Sequence, residues 1–215
     1  MLPQVASQGL ARYCDVFCER EAFSVPESRR ILLAARDLGL GTRIHAEQIT
    51  RSGASQLAAE VGARSADHLE KVSHEDVEAL AAAGVIGVLL PGASLVLRTP
   101  PAPARQLIDG GVTVALSTDW NPGTCPSPDL PLMAALGCYH LGMTAEEALA
   151  GITWSAARAL GLGEDRGRLR VGDRGDLSIH AVADWREMVF GLGQRTCVAA
   201  VKDGTVAWQR GDRAL

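Results

Sequence analysis

Between Tyr13 and Thr118 the sequence alternates short apolar, β-branched runs with longer stretches of helical period. This alternation is typical of consecutive strand–helix units, which fold into a parallel sheet covered by helices. The run Val85–Leu90 is apolar throughout, as expected of a parallel strand that is buried on both faces. The sequence therefore predicts an α/β fold. The predicted strands are Tyr13–Glu19, Arg43–Glu47, Ser65–His68, Val85–Pro91 and Val112–Thr118.

Helix starts are marked by Ser or Thr followed three residues later by an acidic residue, which can bond back to the cap or stabilise the first turn. After Thr118 the strand–helix rhythm gives way to a loop rich in Pro and Gly, and then to two more helical stretches. The start signals are Ser24 with Glu27, Ser73 with Asp76 and Thr144 with Glu147, and the two later helices are predicted over Leu132–Leu141 and Thr144–Leu160.

From Gly167 onward the helical pattern ends. The segments GRLRVGDRGDLSIH and CVAAVKDGTVAWQ read as short antiparallel strands, and Asp203-Gly204 in the second segment favours a tight hairpin turn. We therefore expect a small β appendage at the end of the chain.

Composition argues against several classes of function. Lys and Arg number 21 against 25 Asp and Glu, a formal charge of −4, whereas nucleic-acid-binding surfaces are usually basic. No apolar run approaches the roughly 20 residues of a membrane-spanning helix, and residues 1–8 do not resemble a signal peptide. The five cysteines form no CxxC pair, which favours reduced thiols. We expect a cytoplasmic protein that binds neither nucleic acid nor membrane.

Three residues able to bind a metal follow predicted strands at comparable positions. His45 and His68 lie at the ends of the second and third strands, and Asp119 directly follows the fifth. Strand ends of an α/β barrel meet at one rim, where the active sites of this architecture lie. Two imidazoles and a carboxylate suit zinc or iron, with Asp119 or a histidine available to move a proton. Each residue also has a structural alternative: the histidines can serve packing, and Asp119 can cap the next loop.

The loop after the fifth strand carries further polar groups. Asn121 offers a donor and an acceptor, Gly123 lets the backbone approach a ligand, and Thr124 adds a hydroxyl and an N–H. This set suits a small anionic substrate, although an ordinary Pro-Gly turn explains the same composition. Glu19 is one more carboxylate at a strand end.

Several segments together resemble the imidazolonepropionase family of the metal-dependent amidohydrolase superfamily. The resemblance implies a (β/α)₈ (TIM) barrel of the metal-dependent hydrolase type with a β-sandwich domain. It also implies hydrolysis of the ring amide of 4-imidazolone-5-propanoate to N-formimidoyl-L-glutamate with zinc or iron, in a homodimer. The segments are YCDVFCEREAFSV, RIHAEQI, GARSADHL, VIGVLLPGASL, PARQLIDGGVTVALSTDWNPGTCP, HLGMTAEEALAGITWSAARALGL and GRLRVGDRGDL.

Residue by residue, the resemblance implies that His45 and Asp119 bind the metal. Gln48 matches a substrate-contacting position that is Glu in many members of the family, so the proton-transfer role moves toward Asp119 and His68. The loop residues Asn121, Gly123 and Thr124 match positions that contact substrate and product.

One family feature is absent from the sequence. The His-x-His pair, which supplies two further metal ligands from the first strand, does not occur in these 215 residues. The five predicted strands would correspond to strands four to eight, so we expect a partial barrel over residues 1–163 and the C-terminal part of the β-sandwich over 164–215. Two other hypotheses remain: a catalytically inert fragment or barrel-completing interaction subunit, and an amidohydrolase acting on another cyclic amide.

Overall fold

The computed structural model describes residues 1–211, and the last four residues of the predicted β-sandwich segment lie outside that range. Five parallel strands form one sheet in which spatial order follows chain order. Each crossover between neighbours contains helix, as parallel pairing requires. The strands are β1 (Tyr13–Phe17), β2 (Gly41–Ala46), β3 (Ser65–His68), β4 (Ile86–Leu89) and β5 (Val114–Leu116).

Helices surround this sheet, and the three start signals are confirmed. Ser24, Ser73 and Thr144 each form a capping box with the acidic residue three positions later. The helices are α1 (Leu2–Ser7), α2 (Val25–Asp37), α3 (Ala54–Val61), α4 (His74–Ala83), α5 (Pro91–Leu97), α6 (Ala104–Asp109), α7 (Leu130–Leu141), α8 (Ala145–Ile152), α9 (Trp154–Ala159) and α10 (Glu187–Phe190).

A continuous apolar core lies between the sheet and its helices. Leu32 on α2, Ile44 on β2, Leu80 on α4 and Leu107 on α6 are all fully buried members of it. Because Ile44 and His45 are consecutive on one strand, their side chains point to opposite faces. The core therefore fixes the face on which His45 emerges.

The predicted helix over Thr144–Leu160 is two helices in the structure. The helical conformation is interrupted at Thr153, whose φ of −122° and ψ of −89° are not helical. The Thr153 hydroxyl donates to the Leu149 carbonyl at 2.6 Å, and the second piece packs against β4 and β5. Packing against the sheet thus overrides a sequence pattern that is helical throughout.

The tail forms a separate antiparallel sheet of β6 (Leu177–His180), β7 (Cys197–Lys202) and β8 (Thr205–Gln209). The predicted hairpin is confirmed: Asp203 and Gly204 both have positive φ, of 49° and 79°, as a type I′ turn requires. The predicted strand character of residues 167–176 is wrong. Arginines and aspartates there form ion pairs within turns, including Arg168–Asp173 at 2.9 Å.

The predicted α/β architecture, a partial barrel followed by a small β segment, is confirmed. Within residues 1–211, β1 and β5 each pair on one side only, so the sheet does not close. The boundary at residues 163 and 164 stays a prediction. Among the described residues, no helix has the length and apolar character needed to cross a membrane.

Candidate functional site

A cavity of about 580 Å³ opens at the carboxyl ends of the parallel strands. It brings together most of the predicted site residues, which come from β2, β3 and the loops after β2 and β5. Gly123 is not among its lining residues. The predicted residues that line it are His45, Gln48, His68, Asp119, Asn121 and Thr124, and further lining residues include Phe17, Glu70 and Lys71.

Backbone strain is concentrated at this rim. Glu47, His68, Leu69 and Asp119 have φ values of 53°, 81°, 69° and 49°, a region that non-glycine residues rarely occupy. Each such residue costs on the order of 1–3 kcal/mol and persists only where surrounding structure holds it. Strain of this kind clusters at functional sites, which supports the rim as the working end of the molecule.

His45 is held by a carboxylate from the neighbouring strand. Its Nδ1 atom lies 3.1 Å from both carboxylate oxygens of Asp15 on β1. Burial works to lower the pKa of His45, but the Asp15 hydrogen bond and the charges of Asp15, Asp67 and Asp119 outweigh it and raise the pKa. With Nδ1 engaged, Nε2 is the ring nitrogen left for another partner.

His68 is almost fully buried beside Glu70. Its Nδ1 lies 3.6 Å from Glu70 Oε1, too far for a hydrogen bond. His68 Nδ1 and Glu70 Oε2 have no hydrogen-bond partner among the described residues. Buried polar atoms without partners are uncommon and call for a ligand or water. The ring centroid of His68 lies 5.3 Å from that of His45, which places both imidazoles at one wall of the cavity.

Asp119 is the start of an internally bonded loop. Thr124 Oγ1 donates to Asp119 Oδ2 at 3.1 Å, and Asn121 Nδ2 donates to the Asp119 carbonyl at 2.7 Å. Asn121 Oδ1 accepts from the backbone N–H groups of Gly123 and Thr124 at 2.8 and 2.7 Å. The polar groups predicted to hold substrate thus hold one another here, and they fix the position of Asp119.

Two buried glutamates shape the loop that carries Gln48. Glu47 accepts from the N–H groups of Ser52, Gly53 and Ser55. Burial is the main cause that raises the pKa of Glu47, despite these bonds. Glu19 accepts from the backbone of residues 20, 49 and 50 and from the Thr50 hydroxyl. Glu19 is therefore a support of this loop.

Sequence reasoning missed Asp15 and Asp67. Asp15, His45 and Asp67 each place one ligand atom within 4.8 Å of the others. Burial is the main cause that raises the pKa of Asp67, and Asp67 Oδ1 has no hydrogen-bond partner among the described residues. A carboxylate within a predicted parallel strand was the available signal, since such strands are normally buried on both faces.

The donor set at the cavity fits a divalent metal. An imidazole nitrogen of His45 and a carboxylate oxygen of Asp119 are both ligands that zinc and iron(II) accept. The imidazole is oriented by a carboxylate, the arrangement found behind metal-binding histidines.

A family model described as "Amidohydrolase family" matches residues 16–206, and the chain belongs to that family. Proteins of this superfamily are metal-dependent.

Within the family, the chain is similar to curated proteins named imidazolonepropionase. It is 49% identical to the protein from Myxococcus xanthus strain DK1622 over 208 residues. The aligned residues make up 96% of this chain and 49% of that protein. It is 46% identical over 211 residues to the protein from Geobacillus thermodenitrificans strain NG80-2, covering 98% and 50%. The chain thus spans about half the length of the curated relatives that it matches.

Solved structures of lower identity share the fold. An adenosine deaminase from Xanthomonas campestris with bound zinc superimposes with a TM-score of 0.79 at 17% identity, covering 95% of this chain and 54% of that one. A triazine hydrolase variant gives 0.74 at 20% identity, covering 89% and 49%. At these identities the likeness supports the fold alone.

Proposed function

We propose that this chain is one half of a metal-dependent hydrolase that opens the ring amide of 4-imidazolone-5-propanoate to give N-formimidoyl-L-glutamate. The observation that carries the proposal is the cavity in which His45, His68 and Asp119 meet Gln48 and the Asn121 loop. The similarity to the imidazolonepropionases of Myxococcus and Geobacillus supports the choice of substrate.

In this proposal His45 and Asp119 hold zinc or iron. When bound, such a metal supplies the Lewis acidity that makes water a nucleophile near neutral pH. Asp119, at the cavity wall, takes the proton released by the water. His68, with its unpartnered Nδ1, would pass that same proton from Asp119 to the departing ring nitrogen as the amide bond breaks, so both side chains return to their starting protonation states.

Substrate contacts come from the loops that frame the cavity. Gln48 presents an amide that donates and accepts, and an amide cannot replace a carboxylate as proton acceptor. Lys71 also lines the cavity and carries the positive charge that an anionic propionate group needs. The substrate replaces the hydrogen bond between Asn121 and Thr124, and both side chains then bind the substrate. The substrate and the product are both small molecules. We also propose that the protein forms a homodimer.

A second candidate follows from the ligand count. Catalytic zinc is usually held by three protein ligands, whereas the proposed set in this chain is two, His45 and Asp119. Together with the one-sided pairing of β1 and β5, this favours a chain that is inert alone and completes its site with another polypeptide segment.

One assay tests these two proposals. The chain is tested for hydrolysis of imidazolone propionate alone and after co-expression with the half of the Myxococcus xanthus relative that it does not match, with metal content measured in both. We expect turnover and bound metal only in the combination. Turnover by the chain alone would exclude the proposal that the chain is inert by itself. A metal-loaded combination that hydrolyses other cyclic amides but not imidazolone propionate would contradict the proposed substrate.

A further inference from the structure

Asp15 is an exposed carboxylate on β1 with no role in the reaction outlined above. On β1 it lies two residues before Phe17, which is the register partner of His45 on β2. Residues two apart on a strand share a face, so Asp15 and His45 project from the same face of the sheet. Both Asp15 oxygens lie 3.1 Å from His45 Nδ1, while Asp15 itself is not among the residues that line the cavity.

The chemistry of this contact fixes where the imidazole carries its proton. A carboxylate only accepts hydrogen bonds, and a neutral imidazole has one N–H and one lone pair. The contact therefore requires the proton on Nδ1, which leaves the lone pair on Nε2. A ring in the opposite tautomer would set a lone pair against the Asp15 charge and offer an N–H to the cavity.

Asp67 is the competing carboxylate. It is the register partner of His45 on β3 and lies within the same 4.8 Å cluster. Among the described residues, however, His45 makes a hydrogen bond with Asp15 and none with Asp67. The geometry thus favours a single partner for Nδ1.

We propose that Asp15 is a positioning residue that holds His45 in the Nδ1–H tautomer and presents Nε2 to the cavity as a ligand atom. The inference rests on the proposed function only in taking a metal as what Nε2 receives. The tautomer is a property of this chain and is measured without metal or substrate.

The test is nitrogen-15 NMR of the chain labelled at histidine, at a pH where the rings are neutral, with His45→Gln used to assign the signals. In the wild type we expect a protonated Nδ1 and an unprotonated Nε2 for His45. Asp15→Ala removes the acceptor and should redistribute the proton between the two nitrogens. Asp15→Asn retains an acceptor oxygen and should retain the tautomer, with an upfield shift of the Nδ1 proton because an amide accepts more weakly than a carboxylate.

Two controls make the result specific. Asp37→Ala removes an exposed carboxylate at the end of α2 and should leave the His45 signals unchanged. Asp67→Asn should also leave the tautomer unchanged. A wild-type His45 protonated on Nε2, or a tautomer that follows Asp67 and not Asp15, would overturn the inference.

The design stays decisive if Asp15→Ala does not fold. The wild-type tautomer and the Nδ1 proton shift in Asp15→Asn then carry the test, and an unshifted proton contradicts the contact. The outcome is also independent of the hydrolysis assay. An inactive combination whose His45 is protonated on Nδ1 refutes the proposed function alone, whereas an active enzyme with the opposite tautomer refutes the role of Asp15 alone.

Discussion

The rim of the parallel sheet and the antiparallel tail both carry many charged residues, but the two regions use them differently. In the tail, charges pair at the surface, as in Arg174–Asp203 at 2.7 Å and Lys202–Asp176 at 2.6 Å. At the rim, His68 and Asp119 sit on strained backbone, and His68 Nδ1 is buried without a partner in the described chain. The number of charges therefore says little about function, whereas a buried polar atom without a hydrogen-bond partner marks the region that needs a ligand.

The largest expected contrast between the two regions is in catalysis. In the combination of this chain with the unmatched half of the Myxococcus xanthus relative, Asp119→Asn removes a proposed ligand and proton acceptor, and we expect kcat/KM to fall by about 10²–10⁴. Asp165→Asn makes the same chemical change in the tail, where the side chain is 42% exposed, and should leave kcat/KM unchanged. Steady-state assays of both variants check this, and equal losses would mean that the rim has no special role.

Stability gives the next contrast. Glu47→Ala leaves three backbone N–H groups near the rim without their acceptor, and we expect the free energy of unfolding to fall by about 3 kcal/mol. Asp165→Ala in the tail should change it by less than about 0.5 kcal/mol, as exposed ion pairs contribute little. Urea denaturation of each variant measures the difference. Similar losses for both would show that the loop after β2 does not depend on Glu47.

A smaller effect is expected from the loop after β5. Asn121→Ala deletes the side chain that accepts from Gly123 and Thr124 and donates to the Asp119 carbonyl. Since Asp119 would keep its identity but lose its fixed position, we expect about a tenfold loss of kcat, less than that from Asp119→Asn. An Asn121→Ala enzyme with wild-type kcat and raised KM would show that the side chain serves only substrate binding.

The smallest expected effect is on the acid stability that an ion pair in the tail provides. The guanidinium of Arg186 lowers the pKa of Asp184 in the tail to about 2. Because the folded-state pKa lies below the unfolded value, the stabilisation is present above the ordinary aspartate range and is lost as the pH falls toward 2. Thermal unfolding as a function of pH should therefore show a smaller acid-induced drop in Tm for Asp184→Asn than for the wild type. An identical drop would exclude this pair as a contributor.

Much of the scaffold was predictable from the sequence. The β3 bounds were predicted without error and the other strands of the parallel sheet to within a few residues, since apolar runs between capping signals are local patterns. The break at Thr153 was not predictable, because it depends on packing against β4 and β5. Residues 167–176 were misread as strand because alternating Arg and Asp also suits paired charges in turns.

At the site, the convergence of His45, His68 and Asp119 followed from their places at strand ends, since parallel strands end at one edge. The contact between Asp15 and His45 could not be predicted, because it depends on the register between β1 and β2, which the sequence does not specify. The hydrogen bonds that Asn121 makes within its own loop were not predictable either, since the composition of the loop fits both a ligand-binding loop and an ordinary turn.

The most direct test of the proposed site is anomalous X-ray diffraction at the zinc and iron edges from crystals of the completed enzyme. We predict a metal peak in the cavity at about 2.0–2.2 Å from His45 Nε2 and from a carboxylate oxygen of Asp119. A peak bound instead by His45 Nδ1 with Asp15 and Asp67, or one that does not contact Asp119, would contradict the account.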